Sequence, residues 1–499
     1  MNKILLLLIF IGLVTTGHCE EKASPPNIIV FLADDLGYGD LACYGNQIIQ
    51  TPNIDRLAKE GVRMTDCHSG GTVCSPSRAA LLTGRNPYRS GFFYIHNRST
   101  YLKEEEVTLA EVLRDKGYET GFWGKWHLST LEQTHYVHPG PSEQGFDYWM
   151  ATTLNAFDSL GGPSGPKKFI KNGESVGQVD GWYCDVIVDD ARVWLTSKRN
   201  EEKPFFMYVC SHEPHTPIDP PAEYSAKYDN LTVEKLEQES EYGQIARPKK
   251  VISAYKKEYY GTVNQLDDAF GRLMKTLDEL GLRENTIVVF TSDNGPETPV
   301  TFEESLGQWE DSIRDKCFGT PGALRGMKRF PYEGGHRVPG IVRMPGVIPA
   351  GLESAVLFNG TDILPTICKL VGAEVPANRN VDGVDAFNAF LDKEVERDES
   401  AIWFFPHHGD TWFRMPQMSM RTGNYTLIGW LPKREEAMPL NEWLATQNPA
   451  RFELYDLSID PAQSNDIAKQ HPEVVDTMKT EMIVLWKEMR DEGLAGKLK

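Results

Sequence analysis

The sequence predicts an α/β fold with a large, mainly parallel sheet sandwiched by helices, plus a small C-terminal antiparallel sheet with a covering helix. In the first three quarters of the 499 residues, apolar β-rich runs alternate with helical patterns, which is typical of a parallel sheet covered by helices. After about residue 376, short strand-like runs follow one another without helices between them. We therefore expect a large N-terminal domain over residues 24–375 and a C-terminal subdomain over residues 376–499.

Four apolar runs define the strands of the predicted large sheet, and each turns polar at its C-terminal end. These runs are NIIVFLADD (27–35), YETGFWGKWH (118–127), PFFMYVCSHEPH (204–215) and NTIVVFTSDNG (285–295). Between them, residues 108–117 and 263–281 carry apolar side chains at helical spacing. A doubly wound sheet fits this order.

The C-terminal part predicts four short strands, at 401–405, 417–423, 425–431 and 452–457. The chain then ends in a helical pattern with an apolar face. That face is formed by Val475, Met478, Met482, Leu485 and Met489. A methionine stripe of this kind is far more often packing than function, so we expect this helix to cover the small sheet.

The first 19 residues predict a secretory signal. Lys3 precedes an apolar run from Ile4 to Val14, and small residues follow. The protein is therefore expected to be secreted or periplasmic, or lysosomal if the source is eukaryotic. Cys19 leaves a lipoprotein anchor as an alternative. No later stretch predicts a transmembrane segment.

Charge and cysteine content limit the partners. The net charge of −19 argues against nucleic acid, because phosphate binding requires a basic surface. Eight cysteines are few for this length. Export permits disulfides among six of them, but the sequence does not reveal a pairing. Those six are Cys43, Cys67, Cys184, Cys210, Cys317 and Cys368.

The polar ends of the four strands predict one shared site, because ligands of open α/β sheets bind beyond the carboxyl ends of the strands. The side chains expected there are Asp34, Asp35, Lys125, His127, His212, His215, Asp293 and Asn294. Four strand ends that bear carboxylates, histidines and a lysine favour a shared site over coincidence. Polar residues at the end of a single strand would be ordinary.

Oxygen ligands from two of these strand ends predict a metal site. Asp34, Asp35, Asp293 and Asn294 offer carboxylate and amide oxygens, which suit a hard cation. We expect Ca²⁺, with Mg²⁺ as the alternative. Taken separately, each pair could also be a simple turn after a strand.

Cys74 is a second candidate for the site. It lies at the predicted start of a helix, with Ser77 as the expected capping residue. A helix start favours an anion or an ionised nucleophile. Arg78 would lie one turn further on, and Lys125 and Lys328 add cations that could neutralise an anionic group. A lone cysteine at such a position can also be a buried structural residue.

Two histidines have the side-chain type needed for proton transfer, namely His127 and His215. A single histidine in a loop is usually unremarkable. His212 is interpreted as a neighbour of these groups without a catalytic role.

The string CSPSRAALLTGR at 74–85 resembles the signature of the type I sulfatases, in which C-x-P-S-R marks a cysteine that is oxidised to formylglycine. The resemblance continues in order along nearly the whole mature chain. The further segments are PNIIVFLADDLGYGD (26–40), GYETGFWGKWHL (117–128), PHTP (214–217), TSDNG (291–295), LRGMKRFPYEGGHRVP (324–339) and ELYDLSIDPAQSNDIA (453–468). Gln463 departs from the family, in which an acidic residue is common there.

This resemblance implies an arylsulfatase-like sulfuric ester hydrolase with the alkaline phosphatase superfamily fold. It implies a formylglycine made from Cys74 by a maturation enzyme, and a metal held by that residue with Asp34, Asp35, Asp293 and Asn294. It also implies that the sulfate is bound and protons are moved by Arg78, Lys125, His127, His215 and Lys328.

The substrate is expected to be a sulfated carbohydrate or another sulfate ester. Residues 128–182 and 219–258 are interpreted as insertions around the pocket that set specificity. Side chains that could contact a sugar are His407, His408, Asp410, Trp412 and Arg414. Two alternatives stay open: a phosphatase or phosphodiesterase of the same superfamily, and a non-catalytic binder of sulfated glycans.

Overall fold

The fold was obtained as a computed structural model, which describes residues 25–97, 99–132, 137–156, 164–231, 252–297, 317–405, 418–435 and 437–495. The predicted signal at 1–19 and the five candidate sugar-contact residues between 407 and 414 lie outside these ranges.

The strands of the described residues are β1 Asn27–Ala33, β2 Val62–Met64, β3 Cys67–His68, β4 Glu119–Lys125, β5 Tyr148–Thr152, β6 Phe169–Lys171, β7 Glu174–Gly177, β8 Phe205–Cys210, β9 Thr286–Ser292, β10 Gly340–Arg343, β11 Leu352–Ser354, β12 Phe358–Asn359, β13 Ala401–Phe404, β14 Met418–Thr422, β15 Tyr425–Trp430 and β16 Arg451–Asp456. The α-helices are α1 Pro52–Glu60, α2 Cys74–Thr83, α3 Leu109–Asp115, α4 Tyr183–Ser197, α5 Ala222–Ala226, α6 Ile252–Glu279, α7 Glu333–His336, α8 Ile363–Val371, α9 Leu440–Thr446 and α10 Pro472–Gly493.

The large sheet has ten strands in the order β11-β2-β10-β9-β1-β8-β4-β5-β6-β7. Its centre, from β9 to β5, is entirely parallel. Antiparallel pairs occur only towards its edges, where β10 pairs with β9 and β2, and β6 pairs with β5 and β7. The predicted mainly parallel sheet is confirmed, and its four predicted strands are β1, β4, β8 and β9.

Helices cover both faces of this sheet. Along β1, Ile29 and Phe31 point into a core shared with α1, α4 and α6. The alternate residues Ile28, Val30 and Leu32 point into the opposite core, shared with α2, α3 and α8. Because successive side chains of a strand point to opposite faces, a strand buried on both faces must be apolar throughout. The run IIVFLA at 28–33 meets this requirement, and the side chain of buried Asn27 before it forms hydrogen bonds with Thr286 and with the N–H of Phe205.

The segment 128–182 differs from the expectation of an insertion around the pocket. It supplies β5, which pairs with β4 in the parallel centre, and then the edge strands β6 and β7. Its apolar stretches are short, so the strands were not apparent from the sequence pattern.

The C-terminal sheet is antiparallel, in the order β13-β14-β15-β16. The methionine face of α10 packs on it: Met478, Met482 and Met489 share a core with Met420 and Leu427. The predicted small sheet with its covering helix is therefore confirmed. The expectation that no helix separates its strands is wrong, because α9 lies between β15 and β16. The domain boundary between residues 375 and 376 stays a prediction.

The described cysteines are all free thiols, and all but Cys43 are buried. None of the six candidates for a disulfide is bridged. In the described part of the chain, no helix has the length and apolar content needed to cross a membrane.

Candidate active site

Two neighbouring strands bring the predicted oxygen ligands together. Asp34 and Asp35 follow β1, Asp293 and Asn294 follow β9, and the two strands pair in parallel with Ala33 opposite Ser292. Asp35 has a left-handed φ of 63°, which turns the chain at the strand end. In this conformation its N–H donates to Asp293 Oδ1 at 3.2 Å.

Cys74 is the first residue of α2 and is buried, with its Sγ 3.6 Å from Asp34 Oδ1. The expected capping role of Ser77 is wrong, because the helix begins three residues earlier. The Ser77 hydroxyl donates instead to the carbonyl oxygens of Gly71 and Val73. The residue before the helix, Val73, is extended and provides no side-chain cap.

Three cations surround this cluster, and each is held by a carboxylate. Lys125 Nζ lies 2.5 Å from Asp34 Oδ2, and Lys328 Nζ lies 2.7 Å from Asp35 Oδ2. Arg78 donates through Nε and Nη2 to Asp293 Oδ2 at 2.9 and 2.7 Å. All three cations are nearly fully buried. Because they come from α2, β4 and the loop after residue 317, the site is assembled from distant parts of the chain.

The histidines take different positions around it. His215 Nε2 lies 3.4 Å from Asp35 Oδ2. His127 has a left-handed φ of 55°, and its ring meets that of His96 edge to face at 5.5 Å. Among the described residues, His212 forms no hydrogen bond with the carboxylates of the site. Its Nδ1 lies 3.2 Å from Asn155 Nδ2.

Two residues of the site were missed from the sequence. Asn155 donates through Nδ2 to Asp34 Oδ2 at 3.1 Å, and it follows β5. The polar residues after the run YWMA would have been the signal for it. Glu297 lies 3.3 Å from Lys328 Nζ and pairs with Arg329. It stands only two residues beyond the TSDNG string.

The site offers carboxylate oxygens together with a thiol and an imidazole as possible metal ligands. Asp34, Asp35, Cys74 and His215 each present one ligand atom, and these atoms lie within 4.8 Å of one another. Asn294 Nδ2 donates to Asp35 Oδ1 at 2.7 Å, while its buried Oδ1 has no hydrogen-bond partner among the described residues. An unpaired buried carbonyl oxygen beside carboxylates is what an oxygen-ligated ion would satisfy.

Burial and charge shift the acid–base groups of the site in opposite directions. Burial raises the pKa of Asp35 to about 7, although Lys328 opposes this shift. Burial would also raise the pKa of Asp34, but Lys125, His215 and Arg78 hold that pKa well below its usual value. Burial lowers the pKa of His127 and of His215, so both imidazoles are neutral at pH 7.

Residue 74 is a poor nucleophile as a thiol. Burial raises the pKa of Cys74 to about 12, even though Lys125 and Lys328 oppose this shift. The thiolate, not the thiol, attacks substrates and binds metals. Cys74 lies among groups suited to catalysis, but its unmodified thiol is not a suitable nucleophile.

The charges of the site favour an anionic ligand. With Asp34, Asp35 and Asp293 ionised, the three cations only balance them. A divalent cation would leave an excess of two positive charges beside the N-terminus of α2, whose free N–H groups also attract anions. Neutral imidazoles can accept protons and transfer them. Such a site, at the carboxyl edge of a mainly parallel sheet, defines a hydrolase of anionic esters.

A second buried group of possible ligands lies apart from this site. His68, Glu333 and His336, hereafter the junction cluster, also present ligand atoms within 4.8 Å of one another. His68 Nδ1 and His336 Nδ1 are 2.9 Å apart. The outer nitrogen of His68 lies 2.9 Å from Asp66 Oδ1. Sequence reasoning did not single out this group.

Family comparisons identify the hydrolase. The family model "Sulfatase" matches residues 26–373, and the model "N-sulphoglucosamine sulphohydrolase, C-terminal" matches residues 326–488. The first match covers most of the chain and contains every predicted catalytic and metal-ligating residue. The chain belongs to the sulfatase family, and its activity is the hydrolysis of sulfate esters.

Individual relatives agree with this assignment. The chain is 31% identical to arylsulfatase A of Homo sapiens over 92% of its own length and 87% of the relative's. It is 29% identical to N-acetylgalactosamine-6-O-sulfatase of Bacteroides thetaiotaomicron, over 95% and 97% of the two chains. A solved structure from that bacterium, titled for the metabolism of multiple glycosaminoglycans, superimposes with a TM-score of 0.70 at 27% identity, covering 92% of this chain and all of the other. The fold is thus the alkaline phosphatase-like fold of sulfatases.

Proposed function

We propose that this sulfatase is exported and removes sulfate from sulfated carbohydrates through a formylglycine made from Cys74. The observation that carries the proposal is the position of Cys74. It is the first residue of α2, beside Asp34 and within the ring of Arg78, Lys125 and Lys328.

Oxidation of residue 74 removes the chemical objection to its thiol. A maturation enzyme would convert Cys74 to an aldehyde, whose hydrate supplies two hydroxyl groups, one to attack sulfur and one to release sulfate. Neither serine nor cysteine offers that second hydroxyl. The raised pKa of the Cys74 thiol supports this proposal, because a thiol of pKa about 12 is protonated at pH 7.

The sulfate group would be bound by the buried cations. Lys125 and Lys328 are each anchored on a different carboxylate, Asp34 and Asp35 respectively. Arg78 lies one helical turn after residue 74, and its guanidinium is fixed on Asp293. Cations that are held in place before the substrate arrives stabilise developing charge without reorganisation.

Proton transfer would be divided between two histidines on different elements. His215, in the loop after β8, would protonate the leaving alcohol. His127, after β4, would accept a proton from the second hydroxyl of residue 74. Both imidazoles are neutral because burial lowers the pKa of each, so His215 must take up a proton from the first half of the reaction before it can give one.

The metal would be Ca²⁺, with Mg²⁺ as the alternative. Its ligands would be Asp34, Asp35, Asp293, Asn294 and residue 74. The carboxylate and amide oxygens of Asp34, Asp35, Asp293 and Asn294 favour a hard cation over zinc. Bound there, the ion supplies positive charge that favours an ionised hydroxyl at residue 74.

A carbohydrate substrate is supported by the relatives. The Bacteroides thetaiotaomicron relative is named for N-acetylgalactosamine 6-O-sulfate, and the similar solved structure is titled for glycosaminoglycan metabolism. Export fits a substrate of this kind and the predicted signal at 1–19. We place the protein outside the cytoplasm, or in the lysosome if its source is eukaryotic.

The test is a parallel assay on 4-nitrophenyl sulfate, 4-nitrophenyl phosphate and a panel of sulfated mono- and disaccharides, using protein exported from a host that makes formylglycine. We expect turnover of the aryl sulfate and of at least one sulfated sugar, with phosphate turnover lower by orders of magnitude. Preferred hydrolysis of the phosphate ester would favour the phosphatase alternative. Binding of sulfated sugars without any turnover would favour the non-catalytic binder.

A further inference from the structure

The hydroxyl of Ser75, the variable residue of C-x-P-S-R, links three parts of the site. Ser75 is fully buried. Its Oγ donates to the carbonyl oxygen of His127 at 2.7 Å and accepts from the N–H of His96 at 2.9 Å. One hydroxyl group thus joins the helix that carries residue 74 to the end of β4 and to the loop that carries His96.

His127 has few other polar anchors. Its N–H donates to the Thr153 carbonyl at 3.0 Å, and its buried Nδ1 has no hydrogen-bond partner among the described residues. Its ring rests against the His96 ring. The left-handed backbone of His127 needs support from its surroundings, because this conformation is unfavourable for a residue with a side chain. Ser75 supports the carbonyl of His127 and also the backbone of its ring neighbour, His96.

The groups proposed to bind sulfate are anchored elsewhere. Lys125 is held by Asp34, Lys328 by Asp35, and Arg78 by Asp293. None of these bonds involves Ser75. Removal of its hydroxyl would therefore disturb His127 while leaving the three cations in place.

We propose that Ser75 is a positioning residue that holds His127 in register with residue 74 and so sets the rate of sulfate release. This inference rests on the proposed function, in which His127 acts in the second half of the reaction. There the remaining hydroxyl of residue 74 loses its proton to His127, the carbonyl bond re-forms, and the bond from that carbon to the sulfate oxygen breaks. Sulfate leaves with the bonding electron pair. A misplacement of about 1 Å costs on the order of 10²-fold in such a transfer.

The test compares Ser75→Ala with Ser75→Thr, which retains a hydroxyl, and with the control Thr366→Val. Thr366 is equally buried and its hydroxyl also joins two backbone groups, accepting from Ala386 N–H at 2.9 Å and facing the Val384 carbonyl at 3.5 Å, but it lies in α8 outside the site. Mass spectrometry of the residue 74 peptide gives the formylglycine fraction of each protein, and all rates are divided by it.

Rapid-mixing experiments with 4-nitrophenyl sulfate separate the two halves of the reaction. For Ser75→Ala we expect a burst of nitrophenol, followed by a steady rate roughly 10- to 100-fold below that of the parent enzyme. The kcat and KM should fall together, so that kcat/KM changes little. Acid-quenched enzyme should carry a sulfate group on the residue 74 peptide. Ser75→Thr should recover most of kcat, and Thr366→Val should show neither burst nor sulfated peptide.

Three results would overturn the proposal. They are an unchanged kcat in Ser75→Ala, a loss of kcat/KM without a burst, or the same kinetic pattern in Thr366→Val. If Ser75→Ala does not fold, Ser75→Cys is used instead, because it keeps the side-chain volume with a weaker hydrogen-bond donor. Ser75→Cys must show the same burst, with a smaller decrease in the steady rate than expected for Ser75→Ala. Failure of the proposed function is distinguishable, because the parent enzyme would then lack formylglycine or sulfatase turnover.

Discussion

The active-site cluster and the junction cluster are both buried groups of possible metal ligands, but their charges are arranged differently. Around Asp34 and Asp35, cations from three separate elements converge on carboxylates, and the Asn294 carbonyl is left unpaired among the described residues. In the junction cluster, the imidazoles of His68 and His336 face each other. Their outer nitrogens lie near an acidic oxygen and a backbone carbonyl.

The surroundings of the junction cluster explain its role. The His336 ring stacks on Trp403 of β13 with centroids 4.0 Å apart, and Arg421 of β14 lies 3.4 Å from Asp66. Asp66 also lies 3.5 Å from Arg337. The cluster thus fastens the C-terminal sheet to the large domain. Glu333 Oε1 of the junction cluster, like Asn294 Oδ1, has no hydrogen-bond partner among the described residues, so an unpaired oxygen does not distinguish the clusters. The three cations around Asp34, Asp35 and Asp293 indicate chemistry, whereas the ring stacking and ion pairs between the two sheets indicate packing.

The largest expected difference between the clusters comes from Cys74→Ala. This change should lower kcat/KM for 4-nitrophenyl sulfate by more than about 10³-fold, because the nucleophile is removed. The melting temperature should change little. The control is Cys368→Ala, another buried cysteine, in α8. Activity of Cys74→Ala near the parent level would contradict the assignment of residue 74.

Metal removal is expected to have the second largest effect on activity, and it distinguishes the active-site cluster from the junction cluster. Dialysis against a calcium chelator should lower activity by at least about 10²-fold, because the proposed ion would contribute several kcal/mol of charge stabilisation. Added Ca²⁺ should restore it. Elemental analysis should find one ion per chain in the parent and in Asp66→Asn, but less in Asp293→Asn. An ion that is lost from Asp66→Asn instead would place the metal in the junction cluster.

A smaller effect is expected from His215→Ala, and it should depend on the leaving group. Alkyl sulfates leave poorly and need a proton from a general acid, whereas nitrophenol leaves readily. The kcat for a sugar sulfate should fall on the order of 10²-fold or more, and that for nitrophenyl sulfate much less. His212→Ala is the control and should lower both rates by one common factor. Equal losses in His215→Ala would argue against His215 as the acid.

The smallest effect on activity is expected from Asp66→Asn, which should reduce stability instead. The loss of a buried charge that faces His68, Arg337 and Arg421 should cost roughly 3 kcal/mol of unfolding free energy, with kcat changed less than about twofold. Urea unfolding and steady-state kinetics check this. A large fall in kcat at unchanged stability would show that the junction cluster serves the reaction.

The pH dependence of the unfolding free energy is a further test of the structural role of Asp66 beside the junction cluster. Burial would raise the pKa of Asp66, but the hydrogen bond from His68 and the charge of Arg337 hold it well below its ordinary value of 3.8. A carboxyl with a lowered folded-state pKa stabilises the fold above its unfolded pKa and loses this contribution as the pH falls below it. The unfolding free energy of the parent should therefore decline below about pH 4, and Asp66→Asn should decline less steeply.

The sequence was most informative where strand geometry fixed the answer. Asp34, Asp35, Asp293 and Asn294 could be placed together because parallel strands end at a common edge. The same reasoning covered Lys125, the last residue of β4, and His127 just beyond it. The C-terminal strands and the methionine face of α10 followed from alternation and helical spacing. These signals are local residue patterns, so they can be recognised in the sequence alone.

Contacts across long sequence separations could not be read in this way. His68 and His336 are 268 residues apart, and although His336 lies within the string LRGMKRFPYEGGHRVP, nothing in the sequence links it to His68. Asn155 was hidden because β5 was taken for part of an insertion. Gln463 was only noted as a departure from the family, yet its Oε1 accepts from the N–H of Glu333 at 2.8 Å, at the start of α7. Such partners are chosen by tertiary packing rather than by local pattern.

The most direct test of the account is mass spectrometry of the tryptic peptide that contains residue 74, from fully active exported protein. The account predicts the aldehyde of formylglycine, with the fraction converted proportional to kcat across preparations. Fully active protein whose residue 74 is an unmodified cysteine thiol would contradict it.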